Sequence, residues 1–218
     1  MDASDRLADV QAGLKRACRD AGGRNMPLLV AISKTFDADA IRPLIAAGQR
    51  HFGENRVQEA AAKWPLLQAE TPGIMLHLVG QLQSNKAAEA VALFDVIHSV
   101  DRPSLVAALA KAQSAAGKRP TCYLQVNIGN EAQKGGCAIA DLPALLAQAR
   151  AAGLDVIGLM CVPPANVEPA PYFALLAEHA KRLGLTGLSM GMSSDYETAA
   201  LLGSTVVRVG SALFGTRG

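Results

Sequence analysis

The chain has 218 residues, half of them hydrophobic and 18% charged, so it has enough apolar material for one large core and does not resemble a disordered sequence. Its formal net charge is +2, and its basic residues are scattered and do not form the stripe typical of nucleic-acid-binding proteins. No apolar run in the sequence is long enough to cross a membrane. We therefore expect a globular protein that binds neither nucleic acid nor membranes.

The N-terminal segment and the cysteines indicate a cytoplasmic protein. Residues 1–20 form a charged amphipathic pattern, which predicts a helix and not a signal peptide. The four cysteines form no Cys-x-x-Cys pair and no spaced histidine pair follows them, so we expect no metal site. Two of them, Cys122 and Cys161, lie in apolar runs and are interpreted as small core residues.

Short apolar runs alternate with helix-like stretches along the whole chain. The runs predict strands at 27–33, 49–52, 74–79, 96–99, 121–126, 156–160, 185–189 and 205–209. The intervening patterns predict helices at 38–47, 56–67, 86–93, 102–115, 142–152, 171–183 and 195–202. Asp37 and Asp101 are the expected N-caps of the first and fourth of these helices.

This alternation predicts an α/β fold. Eight βα units favour a (β/α)8 TIM barrel, a single domain over residues 1–218. The segment 1–22 is expected to form an extra N-terminal helix, packed over the bottom or the side of the barrel. A doubly wound open sheet is the alternative architecture. In a (β/α)8 barrel the functional residues lie at the C-terminal ends of the strands.

Lys34 is the first candidate functional residue, because it ends the first predicted strand. Strand alternation places Val30, Ile32 and Lys34 on one face, so the amine is expected to face the barrel mouth. A partly buried amine there is a candidate nucleophile. The alternative is a surface lysine whose stem lies along apolar atoms at the strand end.

Three polar residues near other strand ends are also candidates. Asn55 follows the second strand, and its alternative role is a helix cap. His77 is in phase with Val79 on the third strand, where a satisfied core histidine is the alternative. Asn127 follows the fifth strand and is also expected to reach the mouth.

The loops after the seventh and eighth strands predict a phosphate site. Both segments, 189–195 and 209–211, place glycine and serine at the start of a helix, where free N–H groups and hydroxyls bind anions. Phosphate sites in this fold often use these two loops, although ordinary turn chemistry is the alternative for each alone. Arg208 lies within an apolar run and needs an acceptor, either an internal ion-pair partner or a ring nitrogen of a bound cofactor.

Several of these segments together resemble a known family. They are residues 31–35, 51–55, 77–86, 188–193 and 208–215, which read AISKT, HFGEN, HLVGQLQSNK, LSMGMS and RVGSALFG. In order, and from about residue 5 to the C-terminus, the chain resembles the pyridoxal phosphate homeostasis protein family. The resemblance implies a barrel like that of alanine racemase and a pyridoxal 5′-phosphate (PLP) cofactor.

The resemblance also implies roles for individual residues. Lys34 would carry the cofactor as a Schiff base, and Arg208 would face its pyridine nitrogen. The implied phosphate-binding residues are Ser193, Gly210 and Ser211, and the implied pocket residues are Asn55, Met192 and His77. The chain departs from the family pattern at Ser211, where threonine is frequent, at Cys161, where a small residue is usual, and at 133–136, which match loosely.

An arginine at the ring nitrogen disfavours its protonation and so weakens the cofactor as an electron sink. The chain also ends at Gly218, which leaves no residues for the second domain from which alanine racemase takes a second base.

The expected function is therefore PLP homeostasis without robust turnover and without catalytic residues. The alternatives are a small PLP-dependent amino-acid racemase and a barrel enzyme that forms a Schiff base with a sugar phosphate. Apo PLP-dependent enzymes are the expected recipients, and a monomer is the expected state.

Overall fold

The computed structural model describes residues 2–215 as a closed barrel of eight parallel strands. The strands are paired in sequence order, and β1 pairs with β8 from Leu28↔Val206 to Ala31↔Val209. This pairing confirms the predicted barrel and excludes the open sheet. The strands are β1 Leu28–Ile32, β2 His51–Glu54, β3 Met75–Leu78, β4 Val96–Val100, β5 Thr121–Val126, β6 Asp155–Cys161, β7 Gly187–Ser189 and β8 Val206–Val209.

The helices surround the barrel in the order that the apolar periodicity predicts. They are α1 Ala3–Asp20, α2 Ala38–Ala46, α3 Val57–Glu70, α4 Ala87–Leu93, α5 Pro103–Ala116, α6 Leu142–Ala151, α7 Ala170–Arg182, α8 Tyr196–Leu201 and α9 Ser211–Phe214. Within residues 2–215, no helix has the length and apolar character needed to span a membrane. Met1 and residues 216–218 of the predicted 1–218 domain lie outside the described residues.

Helix α1 lies on the side of the barrel, against α8 and α9. Its start is stabilised by a capping box, in which the side chain of Asp2 accepts from the N–H of Asp5 at 2.8 Å and the side chain of Asp5 accepts in return. A Cβ atom at Gly13 would lie 2.7 Å from the hydroxyl of Tyr196, so glycine leaves room here for the side chains of α8.

The hydrophobic core has two parts. The larger part lies between the outer faces of the strands and the helices, with Phe52 against Trp64 at a ring distance of 5.0 Å. The smaller part fills the inside of the barrel and includes Val30 and Ile32, as the alternation predicted for the face of Lys34. Inside the barrel the remaining positions carry buried polar side chains, which are described below.

One predicted cap is wrong. The N-cap of α5 is Arg102 and not Asp101, and no side chain caps this helix end. The carboxylate of Asp101 instead pairs with Arg102 at 2.7 Å and accepts from the N–H of Gly136 at 3.2 Å. The predicted cap at Asp37 is confirmed, because its side chain accepts from the N–H of Ala40 at 2.9 Å.

Candidate functional site

A cavity of about 460 Å³ lies at the barrel mouth, between the C-terminal ends of β1, β7 and β8. Chemistry in this fold takes place at this end of the barrel. Six of the nine candidate residues line the cavity, together with Ile32 and Ser194. The six are Lys34, Met192, Ser193, Arg208, Gly210 and Ser211.

Lys34 occupies a tight turn directly after β1. Its side chain is half-buried, and within residues 2–215 it makes no hydrogen bond or ion pair. The next residue, Thr35, has a φ of +69°, a left-handed conformation that is strained for a β-branched side chain. Strain of this kind persists only where the surrounding structure enforces it, and the contacts around the turn do so here.

The backbone of the Lys34 turn is held by two charged residues of α3. The amine of Lys63 donates to the carbonyls of Ser33 and Phe36, each at 2.9 Å, and pairs with Glu59 at 3.0 Å. The carboxylate of Glu59 accepts from the N–H of Thr35. These bonds reach the residue before Lys34 and the two residues after it, so α3 sets the direction in which the amine leaves the strand.

A buried carboxylate lies beneath this turn. Glu54, the last residue of β2, is fully buried and forms an ion pair with Lys63 at 2.9 Å. Its Oε1 also accepts from the hydroxyl of Ser33 at 2.6 Å and from the indole N–H of Trp64 at 2.9 Å. Burial raises the pKa of the Glu54 carboxyl, while the bonds from Ser33, Trp64 and Lys63 act in the opposite direction. Sequence reasoning missed both Glu54 and Lys63, although Glu54 lies within the HFGEN segment.

The opposite wall of the cavity is made by the two loops that were predicted to bind phosphate. The hydroxyl of Ser193 accepts from the N–H of Gly210 at 3.1 Å and from the N–H of Ala212 at 3.4 Å, which ties the two loops together. In the described part of the chain, the backbone N–H groups of Ser194 and Ser211 donate to no protein atom. Free N–H groups and serine hydroxyls beside a cavity are what an anion such as phosphate needs.

Arg208 forms the floor of the cavity and is 4% exposed. Its guanidinium donates to the hydroxyl of Ser189 at 2.6 Å and to the carbonyl of Cys161 at 2.8 Å. Among residues 2–215 no carboxylate forms an ion pair with it, so the internal ion pair weighed from the sequence is not formed. Burial lowers the pKa of Arg208, and the nearby Asp195 partly opposes this shift.

The other predicted polar residues lie elsewhere. Asn55 lines a separate depression beside Gln81 and Lys86. His77 is buried inside the barrel, where other histidines are its hydrogen-bond partners. The amide of Asn127 donates to the carbonyl of Glu131 at 2.8 Å and shapes its own loop. The part of the chain that is described contains no group of three or more side chains suited to a metal ion.

The closed barrel and the lysine at its mouth define a class of protein. The family model "Alanine racemase, N-terminal domain" matches residues 7–218. An alanine racemase from Streptomyces coelicolor shares this fold at a TM-score of 0.68 and 24% identity, and the match covers 97% of this chain and 59% of that one.

Closer relatives are more specific. A pyridoxal phosphate homeostasis protein of Pseudomonas aeruginosa is 42% identical, over 98% of this chain and 95% of the relative. The structure of PipY from Synechococcus elongatus without PLP matches at a TM-score of 0.88 and 41% identity, and the structure with PLP bound matches at 0.84 and 40%. Both cover 98% of this chain and 100% of PipY. The chain therefore belongs to the pyridoxal phosphate homeostasis protein family.

Proposed function

We propose that this protein binds PLP reversibly at the barrel mouth, with Lys34 as the covalent attachment point, and serves the intracellular homeostasis of the cofactor. The observation that carries the proposal is the cavity itself, in which a half-buried amine faces an arginine and two serine-rich loops. The names of the curated relatives and the PLP-bound structure of PipY support it.

The residues present fit the chemical groups of PLP. The cofactor carries one phosphate, one aldehyde and one pyridine ring; when bound, its aldehyde forms a reversible C=N bond with a primary amine. Ser193 and Ser211 offer hydroxyls and Ser194 and Ser211 offer free N–H groups for the phosphate, Gly210 lines the same cavity, and Lys34 offers the amine. The volume of about 460 Å³ falls in the range of small-molecule pockets.

Each side chain then has a defined task. Arg208 presents a buried positive charge, which keeps a facing ring nitrogen unprotonated because two cations would repel each other. Met192 contributes an apolar surface of the cavity for a ring to contact. Asn55 and His77 do not line this cavity, and their contact with the cofactor stays a prediction from the family resemblance.

Reversible binding of the cofactor is favoured over catalysis with it. An unprotonated ring nitrogen is a weak electron sink, which limits carbanion chemistry. Among the described residues that line the cavity, the titratable side chains are Lys34 and Arg208, so no second base faces the lysine as a two-base racemase needs. The similarity to alanine racemases at 24% identity supports the fold alone. A racemase is therefore not favoured.

The proposal also covers the recipient of the cofactor, the cellular compartment and the oligomeric state. We expect apo PLP-dependent enzymes to receive the cofactor, because a reversible C=N bond can be exchanged for one with another protein's lysine. The cytoplasm is the expected compartment, since the four cysteines are buried and unpaired. A monomer is the expected state.

The attachment is tested by the visible absorbance of the purified protein with PLP, before and after borohydride, followed by identification of the modified peptide. We expect a band near that of PLP bound to an amine, and a reduced adduct on Lys34. In Lys34→Ala both should disappear, whereas the exposed α5 variant Lys111→Ala should behave like the wild type. A band that persists unchanged in Lys34→Ala contradicts the attachment.

A further inference from the structure

A chain of three histidines runs through the interior of the barrel to Arg208. His51 Nδ1 lies 3.1 Å from His77 Nε2, and His77 Nδ1 lies 3.0 Å from His98 Nε2. His98 Nδ1 lies 2.8 Å from the hydroxyl of Ser189, which accepts from Arg208 at 2.6 Å. Every link in this chain is within hydrogen-bond distance.

The chain crosses the barrel from its bottom to its mouth. His51 is the first residue of β2 and is half-buried, whereas His77 on β3 and His98 on β4 are 2% and 0% exposed. Ser189 ends β7, on the far side of the barrel from β4. The ring of Tyr123 stacks on the ring of His98 at a centroid distance of 4.6 Å. This contact fixes the orientation of His98, the ring that bonds to Ser189 across the barrel.

Arg208 determines the direction of all the hydrogen bonds in this chain. A guanidinium can only donate, so the oxygen of Ser189 must accept from it. The described residues offer the hydroxyl proton of Ser189 one acceptor, His98 Nδ1. A neutral His98 then carries its proton on Nε2 and donates to His77, which by the same rule donates from its own Nε2 to His51.

The reverse direction would leave a buried hydroxyl without an acceptor. If His98 donated to Ser189, the serine oxygen would accept twice and its proton would have no described partner. An unsatisfied buried donor is costly, so this direction is disfavoured. Burial also lowers the pKa of His98 and brings the pKa of His77 to about 3, so both rings are neutral near pH 7.

We infer that Ser189, His98 and His77 are positioning residues, which hold the Arg208 guanidinium at the cavity floor through one directional hydrogen-bond chain. The inference rests on the proposed function only in that Arg208 faces the bound cofactor. His51 closes the chain at the barrel bottom, where burial lowers its pKa and the carboxylate of Asp95 opposes that shift. Asp95 is itself bound by the N–H of Leu76 at 2.8 Å and by Lys118 at 3.2 Å.

The direction of the chain is tested by long-range ¹H–¹⁵N NMR of the histidine rings in the full-length protein, before and after PLP is added. We expect His77 and His98 to be protonated on Nε2 and bare on Nδ1. A proton on Nδ1 of either ring overturns the inference. In Ser189→Ala the acceptor for Arg208 is lost, so the two rings should lose this uniform pattern, and an unchanged pattern also overturns the inference.

A matched control is Ser99→Ala, one residue beyond His98 on β4. Ser99 is fully buried and its hydroxyl has no hydrogen-bond partner among the described residues. We expect Ser189→Ala to bind PLP about ten- to a hundredfold more weakly, the range expected for a lost hydrogen bond to a charged group, and Ser99→Ala to bind like the wild type. Equal affinity of the two variants contradicts a positioning role.

The two claims fail separately. If the wild type does not bind PLP while the histidines show the expected protonation, the proposed function fails and the directional chain stands. If PLP binds and either histidine carries its proton on Nδ1, the chain is wrong and the proposed function stands.

Discussion

Two buried polar networks end at the same cavity, and they differ in kind. The first lies outside the barrel, between β2 and α3, and consists of charged groups; Glu54, Lys63 and Glu59 hold the backbone around Lys34. The second lies inside the barrel and consists of neutral histidines and Ser189, which end at Arg208. One network directs the amine of the site, and the other directs its guanidinium.

The two networks differ in the interactions that hold their side chains in place. In the charged network one amine binds two backbone carbonyls and two carboxylates, so removing it affects every member at once. In the histidine network each interior member has one partner on each side, and the direction of its hydrogen bonds depends on which ring nitrogen carries the proton. The first network should therefore be sensitive to the loss of a charge, and the second to pH. Two predictions separate the networks, and a third concerns the phosphate loops on the other wall of the cavity.

The largest expected effect is that of Lys63→Met. The substitution leaves the fully buried Glu54 without its cation, which typically costs about 3–5 kcal/mol of unfolding free energy. It also frees the Ser33 and Phe36 carbonyls that shape the Lys34 turn, so borohydride trapping of PLP should be slower. Urea denaturation and trapping kinetics measure the two effects.

The matched control is Lys86→Met, which removes an amine paired with Glu89 at the surface. That pair should contribute less than about 1 kcal/mol. The double variant Lys63→Met/Glu54→Gln should recover part of the loss, because the unpaired charge is then absent. If Lys63→Met lowers the free energy of unfolding by no more than Lys86→Met does, the charged network does not stabilise this side of the mouth.

Acid should weaken the protein through the histidine network. The ordinary pKa of His77 is 6.5, and burial lowers it to about 3 in the folded protein. Between these values the unfolded chain binds a proton that the folded chain does not. The free energy of unfolding should therefore fall with decreasing pH, by up to about 1.4 kcal/mol per pH unit for each such histidine.

The measurement is urea denaturation between pH 7.5 and 5. The decline should be shallower in His77→Gln, whereas His179→Gln on α7, outside the histidine network, should keep the wild-type slope. Parallel curves for His77→Gln and the wild type would mean that His77 does not contribute to the pH dependence.

The smallest expected effect is that of Ser193→Ala on the phosphate side. The variant loses the hydroxyl that accepts from the N–H groups of Gly210 and Ala212 and ties the two loops together. We expect PLP affinity to fall about three- to tenfold, the range expected for one neutral hydrogen bond. Titration of PLP absorbance measures it, with the exposed α5 variant Ser114→Ala as the control. Affinity equal to that of Ser114→Ala would remove Ser193 from the phosphate site.

Much of the fold was predictable because its determinants are local. Apolar runs with period two and helical stretches between them predict the eight βα units, and the phase of Val30 and Ile32 places Lys34 on the inner face. The loop composition after β7 and β8 likewise predicts which segments line the cavity. The capping prediction at Asp101 failed, because its carboxylate binds Gly136, a partner 35 residues away.

The local sequence pattern is therefore sufficient to predict the barrel, the lysine that faces its mouth and the serine-containing loops. The polar groups that support them depend on the closed three-dimensional fold. His98 and Ser189 are 91 residues apart, and Ser33 and Glu54 are 21 apart, so closure of the barrel and the register of its strands bring these partners together. Buried polar groups must satisfy one another across such separations, and a local pattern does not contain that information.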